Sequence, residues 1–152
     1  MKWVKCAVLS KLEKREILEL WNSEYPEKLQ FQSISDFDSY LNNLTEQSHF
    51  LLIDPNRRVM GWYFDFKREN EKWFAILLNT AFQGRGMGSQ ILNRAKEQEK
   101  ELNGWVIDHS SDKKRNGELY KSPLDFYFKN GFKKIATERL EMDKISAVKI
   151  KW

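Results

Sequence analysis

The spacing of apolar and polar positions changes several times along this chain, and each change marks an element. Lys2–Leu9 is a short, partly alternating apolar stretch that reads as a strand. Ser10-Lys11-Leu12-Glu13 has the form of a capping box and opens a helix with Ile17, Leu20 and Trp21 at i, i+3, i+4 spacing. Pro26 lies beyond its end, and Tyr25–Gln32 reads as loop. Ser35 is placed to cap a second helix, whose Phe37, Tyr40, Leu41 and Leu44 share one face. His49–Ile53, Val59–Phe66 and Trp73–Leu78 then read as an antiparallel meander. Asp54-Pro55-Asn56 makes the first turn, because Pro presets φ and Asx side chains bond the local backbone. Polar Arg68-Glu69-Asn70 makes the second. Trp73–Leu78 is nearly all apolar, which predicts burial on both faces.

The second half alternates again. A helix is expected from about Gly88 to Leu102, with Met87, Ile91, Ala95, Gln98 and Leu102 inward and Lys96, Glu97, Glu99 and Lys100 outward. Asn103-Gly104 is expected to end it in a left-handed cap. Trp105–Asp108 reads as a strand and His109–Lys121 as a polar loop. Ser122-Pro123, with Ser as cap and Pro at the first helical position, opens a short helix that stops at Asn130-Gly131. Phe132–Ala136, Arg139–Met142 and Ile145–Trp152 read as strand pieces. The order β-α-α-β-β-β-α-β-α-β-β predicts an α+β (α/β) domain over 1–152, with a mixed, mostly antiparallel sheet flanked by helices.

Composition narrows the class. The 152 residues suit one domain, and 41% apolar with 14% aromatic residues is globular rather than disordered. Cys6 is the only cysteine, so no internal disulfide can form and a reducing compartment is favoured. Charged Glu13–Glu16 interrupt the N-terminus too soon for a signal peptide, and no apolar run has the length of a membrane span. A soluble cytoplasmic protein without a membrane partner is expected. The net charge of +4 helps to capture an anionic ligand such as a nucleotide phosphate, but is too small to argue for nucleic acid. Lys113-Lys114-Arg115 reads as a solvated loop.

Gln83-Gly84-Arg85-Gly86-Met87-Gly88, between a strand and a helix, carries the chemistry. Alternate glycines let backbone approach a ligand, and the helix start adds free N–H groups and a positive dipole end, which together suit a pyrophosphate. A Walker loop is excluded, because no Lys-Ser/Thr follows. A dinucleotide-binding oxidoreductase is the rival. Gly84-x-Gly86 begins that fingerprint and Asp108 lies where the ribose acid belongs, but Ser89 replaces the third Gly and the first Gly lies too far from its strand.

Gln83, Gly86 and Gly88 complete the pattern Gln/Arg-x-x-Gly-x-Gly/Ala, flanked by Leu77-Leu78 and Ile91-Leu92. Downstream, Phe126-Tyr127-Phe128-Lys129-Asn130-Gly131-Phe132 matches an aromatic-Tyr-x-x-x-Gly-Phe helix. In these two signatures the chain resembles the GNAT superfamily of N-acetyltransferases, strongly from Trp73 to Phe132. It departs in Thr80, where the family often has Pro, and in Tyr120, where it often has a cofactor-contacting Asn.

The resemblance implies an acyl-CoA N-acyltransferase fold and direct transfer of an acetyl group from acetyl-CoA to a primary amine, with no metal. It implies a cofactor site over Leu77, Leu78, Asn79, Gln83, Gly84, Arg85, Gly86, Met87, Gly88 and Ser89, with Ser122 or Tyr120 in place of the Asn and Tyr127 nearby. The N–H near Leu78 would polarise the thioester, the pantetheine arm would lie in a gap beside that strand, and Tyr127 would protonate the leaving thiolate. His109, an imidazole just past the strand Trp105–Asp108, is the candidate base; Asp65 and Asp108 are alternatives acting through water, and His49 is discounted. Trp21, Tyr25, Phe31 and Trp62 are candidate walls for the acceptor, a small molecule or peptide amine. A non-catalytic acyl-CoA-binding or sensing module is a second alternative. Monomer and homodimer both remain open.

Overall fold

Two apolar helical stripes on one side of a sheet and two on the other decide the architecture. The computed structural model describes all residues, Met1–Trp152. Four strands, β1 (Lys2–Cys6), β2 (Thr45–Ile53), β3 (Val59–Arg68) and β4 (Glu71–Leu78), run antiparallel in sequence order. β5 (Asn103–Ile107) joins β4 in parallel, and β7 (Ile145–Lys151) lies antiparallel between β5 and β6 (Lys133–Met142). The seven-stranded order is β1-β2-β3-β4-β5-β7-β6. The expected alternation of elements is therefore observed. The two strand pieces expected after Gly131 are one strand, β6, interrupted by a register shift between Ile135 and Arg139.

α1 (Lys11–Glu24) starts as its capping box requires. Ser10 Oγ accepts from Glu13 N–H at 3.1 Å, and the Glu13 carboxylate accepts from Ser10 N–H at 2.8 Å. α2 (Ile34–Asn42) starts earlier than expected. Ser33, not Ser35, accepts from Asp36 N–H at 3.2 Å, because a cap needs extended backbone and Ser33 supplies it at φ −151. Ile17 and Leu20 of α1 and Phe37 and Leu41 of α2 pack with Leu51, Trp62, Phe64 and Trp73 on one sheet face.

α3 (Met87–Gln98) and α4 (Leu124–Lys129) cover the other face, against Phe50, Tyr63, Phe74 and Ile150. α3 stops well before the expected cap. Glu99 turns extended after its N–H bonds Ala95 O, and Leu102 exchanges both backbone bonds with Trp152, at 3.1 and 2.9 Å. Asn103-Gly104 is therefore the start of β5, where the chain rejoins the sheet, and not a helix cap. The buried stripe of α3 is Gly88, Ile91, Leu92 and Ala95; Gln98 is exposed, and Lys96 lies over the rings of Phe132 and Trp152. α4 begins one residue later than expected. Pro123 holds the cap position, and Ser122 Oγ accepts from Leu124 N–H at 3.3 Å. Gly131 at φ 85 ends it, with Phe132 N–H bonded to Tyr127 O at 3.0 Å.

β4 departs from full burial. Trp73, Phe74 and Leu77 are buried, but Ile76 and Leu78 are not, because β4 and β5 pair only at Trp73↔Asn103 and then separate. No helix is long and apolar enough to cross a membrane.

Candidate active site

The gap between β4 and β5 is where the site forms. Asn79 N–H donates to Met60 O at 2.8 Å, which fixes the antiparallel alternation of β3 and β4. Leu77 therefore bonds toward β3, whereas Ile76 and Leu78 turn their N–H and C=O toward the gap. Gln83 closes the corner by donating Nε2–H to Leu78 O at 2.9 Å.

Past that corner the loop folds left-handed at Gly84 (φ 75) and Gly86 (φ 79), with open space where a side chain would project. The first N–H bonded back along α3 is Gln90, to Gly86 O at 2.9 Å. The N–H groups from Gly84 to Ser89 have no backbone acceptor and lie at a helix start, which leaves them able to receive an oxyanion. Gly88 has a different task. A Cβ there would come within 2.7 Å of Phe126 Cζ, so this glycine lets α4 pack on α3.

Two cavities meet at the gap. The first, about 530 Å³, is lined by Leu77, Leu78, Gln83, Gly84, Gly86, Met87, Gly88, Ser89, Ser122 and Tyr127 of the expected cofactor residues. Arg85 and Asn79 do not line it: Arg85 lies 5.4 Å over the Phe82 ring, and Asn79 Oδ1 accepts from Ala81 N–H at 2.9 Å. The second, about 420 Å³, lies mainly on the α1–α2 side and is almost wholly apolar, with Trp21, Tyr40, Phe64, Trp73 and Trp105 among its walls. Tyr25, Ile76, Tyr120, Pro123 and Tyr127 line both. Trp21 and Tyr25 are walls as expected, whereas Trp62 is fully buried core and Phe31 supports Trp21 from 4.9 Å without lining the cavity.

The tyrosines at the junction are kept protonated by their surroundings. Burial pushes the phenols of Tyr127, Tyr25 and Tyr120 well up, with proximity to one another adding to it. Tyr127 is 7% exposed, and its hydroxyl donates to no protein acceptor.

The segment His109–Lys121 is more than a solvated loop. Glu27 N–H donates to Lys113 O at 2.8 Å, Lys28 pairs with Asp112 at 2.9 Å, Lys114 with Glu24 at 3.2 Å, and Arg115 with Glu19. These ties strap the segment onto α1 and the short turn Glu27–Leu29 that follows it, and hold Tyr120 at the junction. Glu24, unanticipated from the sequence, also accepts from Thr80 N–H at 2.8 Å and from Thr80 Oγ1. It sits in the last turn of a polar helix face, which gives no signal of its own.

The candidate bases stand apart from both cavities. His109 Nδ1 is bonded to Ser111 Oγ at 2.7 Å, with Nε2 3.8 Å from Asp112. Asp108 is held by Arg139 at 2.9 and 3.0 Å, which occupies the carboxylate a ribose would need. Asp65 is buried and accepts from Tyr63 Oη at 2.8 Å. No group of three or more His, Cys, Asp or Glu is arranged to hold a metal ion.

No protein-family model matches the sequence, and no curated protein matches it either. Solved structures do match. An aminoglycoside 6'-N-acetyltransferase complexed with coenzyme A is similar at a TM-score of 0.74 and 13% identity, over 100% of this chain and 96% of that one. Escherichia coli ElaA is similar at 0.68 and 16%, over 99% of each chain. The spermidine/spermine N-acetyltransferase SpeG from Vibrio cholerae is similar at 0.64 and 13%, over 99% of this chain and 92% of that one. At such identities the likeness establishes the fold: the chain has the GNAT acyl-CoA N-acyltransferase fold.

Proposed function

We propose that this chain is an N-acetyltransferase that moves an acetyl group from acetyl-CoA to a primary amine by direct attack. The observation that carries the proposal is the meeting of two cavities at Tyr127, one bordered by a cradle of free N–H groups and the other by aromatic rings. The cradle suits the pyrophosphate, and the gap beside β4 suits an extended pantetheine arm. That the similar aminoglycoside acetyltransferase was solved with coenzyme A supports the same donor here.

In this reading the Leu78 N–H, unused by β3, donates to the thioester oxygen as negative charge develops there. Loss of one such donor typically costs roughly 3 kcal/mol of transition-state stabilisation. The amine nitrogen forms a bond to the carbonyl carbon, the C–S bond breaks, and its electron pair goes to sulfur. The nitrogen loses one proton and the sulfur gains one. Tyr127 lines both cavities, so it can give its phenolic proton to sulfur and take back the proton from nitrogen. It ends neutral, as its apolar surroundings demand. His109 is not given the base role, since it lines neither cavity.

A second reading, an acyl-CoA-binding module without turnover, is favoured by the lack of a free carboxylate or imidazole along either cavity. Calorimetric titration with acetyl-CoA, with NAD as control, tests the donor site. Saturable binding of acetyl-CoA alone is expected; preference for NAD would overturn the proposal. Release of free CoA across an amine panel then separates transfer from mere binding.

A further inference from the structure

The second cavity has a polarity that names a class of acceptor. Arg68 is its only charged wall, and no Asp, Glu, His or Lys lines it. Arg68 stands at the end of β3, on the face that also presents Phe64 and Phe66. Its guanidinium carbon lies 4.9 Å from the Phe66 ring centroid and 5.6 Å from that of Trp73, so it turns back over the aromatic floor. Glu71, opposite it across the hairpin, is engaged by Lys149 at 3.5 Å and Lys151 at 3.8 Å, and Arg68 forms no ion pair. A guanidinium has five N–H donors in a fork suited to a carboxylate, and here they are uncommitted.

The two functional ends can be spaced along β4. The junction with the donor cavity lies at Ile76, and the guanidinium lies by Trp73. Three residues of strand span about 10 Å. Trp73 and Ile76 face opposite sides of the sheet, so this is the least separation, and an acceptor whose amine reaches the junction meets Arg68 about 10 Å away or further, after passing the rings of Phe64, Trp73 and Trp105. A polycation finds no carboxylate in this cavity and meets an unpaired positive charge at its mouth.

We infer that the acceptor is an amine joined through an apolar span of about 10 Å to a carboxylate or similar planar anion, which Arg68 holds. An α-amino acid reacting at its α-amine is too short; an ω-amino acid, an aryl-alkyl amino acid or a short apolar peptide fits. The inference rests on the acyltransferase reading only for the fate of the amine. The polarity of the cavity stands by itself.

Trp21, Trp73 and Trp105 in the walls provide a binding signal that needs no turnover. Fluorescence titration would compare 8-aminooctanoate, octylamine and spermidine, on the native chain and on Arg68→Gln. The amino acid should bind at least tenfold more tightly than octylamine, and spermidine weakest of the three. Arg68→Gln should remove the tenfold preference while leaving octylamine within about threefold. Spermidine binding tightest, or a preference that survives Arg68→Gln, would overturn the inference. Acetyl-CoA titrated in parallel separates the two claims. Donor binding without the expected order of probes sinks only the acceptor class, and the expected order without donor binding sinks the acyl-transfer reading.

Discussion

Tyr127, to which the proposed reaction assigns the proton transfer, is pinned by groups that would take no part in it. Phe74 and Phe132 lie 5.8 and 5.5 Å from its ring, and Gly131 ends α4 so that Phe132 can pack there. Its hydroxyl is the part left uncommitted. Tyr127→Phe keeps those ring contacts and removes only the proton. It is expected to lower kcat by about a hundredfold, with little change in acetyl-CoA affinity. Stopped-flow or steady-state release of CoA would read this, and turnover within twofold of native would remove Tyr127 from the mechanism. Because burial pushes its pKa up, activity should show no loss from Tyr127 ionisation up to at least about pH 10.

At the scale of elements, the strand–loop–helix unit from β4 to α3 was legible because its glycines and its apolar run are local signals. They nevertheless act differently. Gly86 holds φ 79 beside open space, whereas Gly88 is bounded by Phe126. Gly86→Val should strain the left-handed turn and crowd the cradle, weakening acetyl-CoA binding at least tenfold by calorimetry. Gly88→Ala should instead lower thermal stability, by about 1–3 kcal/mol from overpacking against Phe126. The opposite pattern would reverse the two roles. What the sequence concealed is long-range. The strap from His109 to Lys121 is held by charges on α1 some ninety residues away, such as Lys114 to Glu24. No local periodicity encodes such a pairing. The start of β5 at Asn103-Gly104 was hidden for a like reason. A left-handed cap and a strand entry share the same two letters, and the pairing of Leu102 with Trp152 decides between them.

Across the whole molecule, the sheet opens at the β4–β5 gap while its far side, around β2 and β3, is fixed by a buried histidine. His49 is 2% exposed and stacks on Trp62 at an interplanar angle of 9°. Its Nδ1 accepts from Trp62 Nε1–H at 3.1 Å, so the neutral ring carries its proton on Nε2, which meets Gln47 Oε1 at 2.8 Å. Burial lowers its pKa from 6.5 to about 4. The unfolded chain therefore takes up this proton first as pH falls. The stabilisation is full above about pH 6.5 and is lost progressively toward pH 4. Asp65 has the opposite sign, since burial raises its carboxyl pKa, but it titrates from a lower starting value and leaves the upper part of the window to His49. Between pH 7 and pH 5 the native chain should lose about 2 kcal/mol of unfolding free energy from this group. His49→Gln, which has no group to titrate there, should lose far less over the same range even if it starts less stable. Urea unfolding at the two pH values measures both slopes. Equal slopes would mean that His49 accepts its proton in the folded sheet and that the Trp62 bond does not hold it neutral.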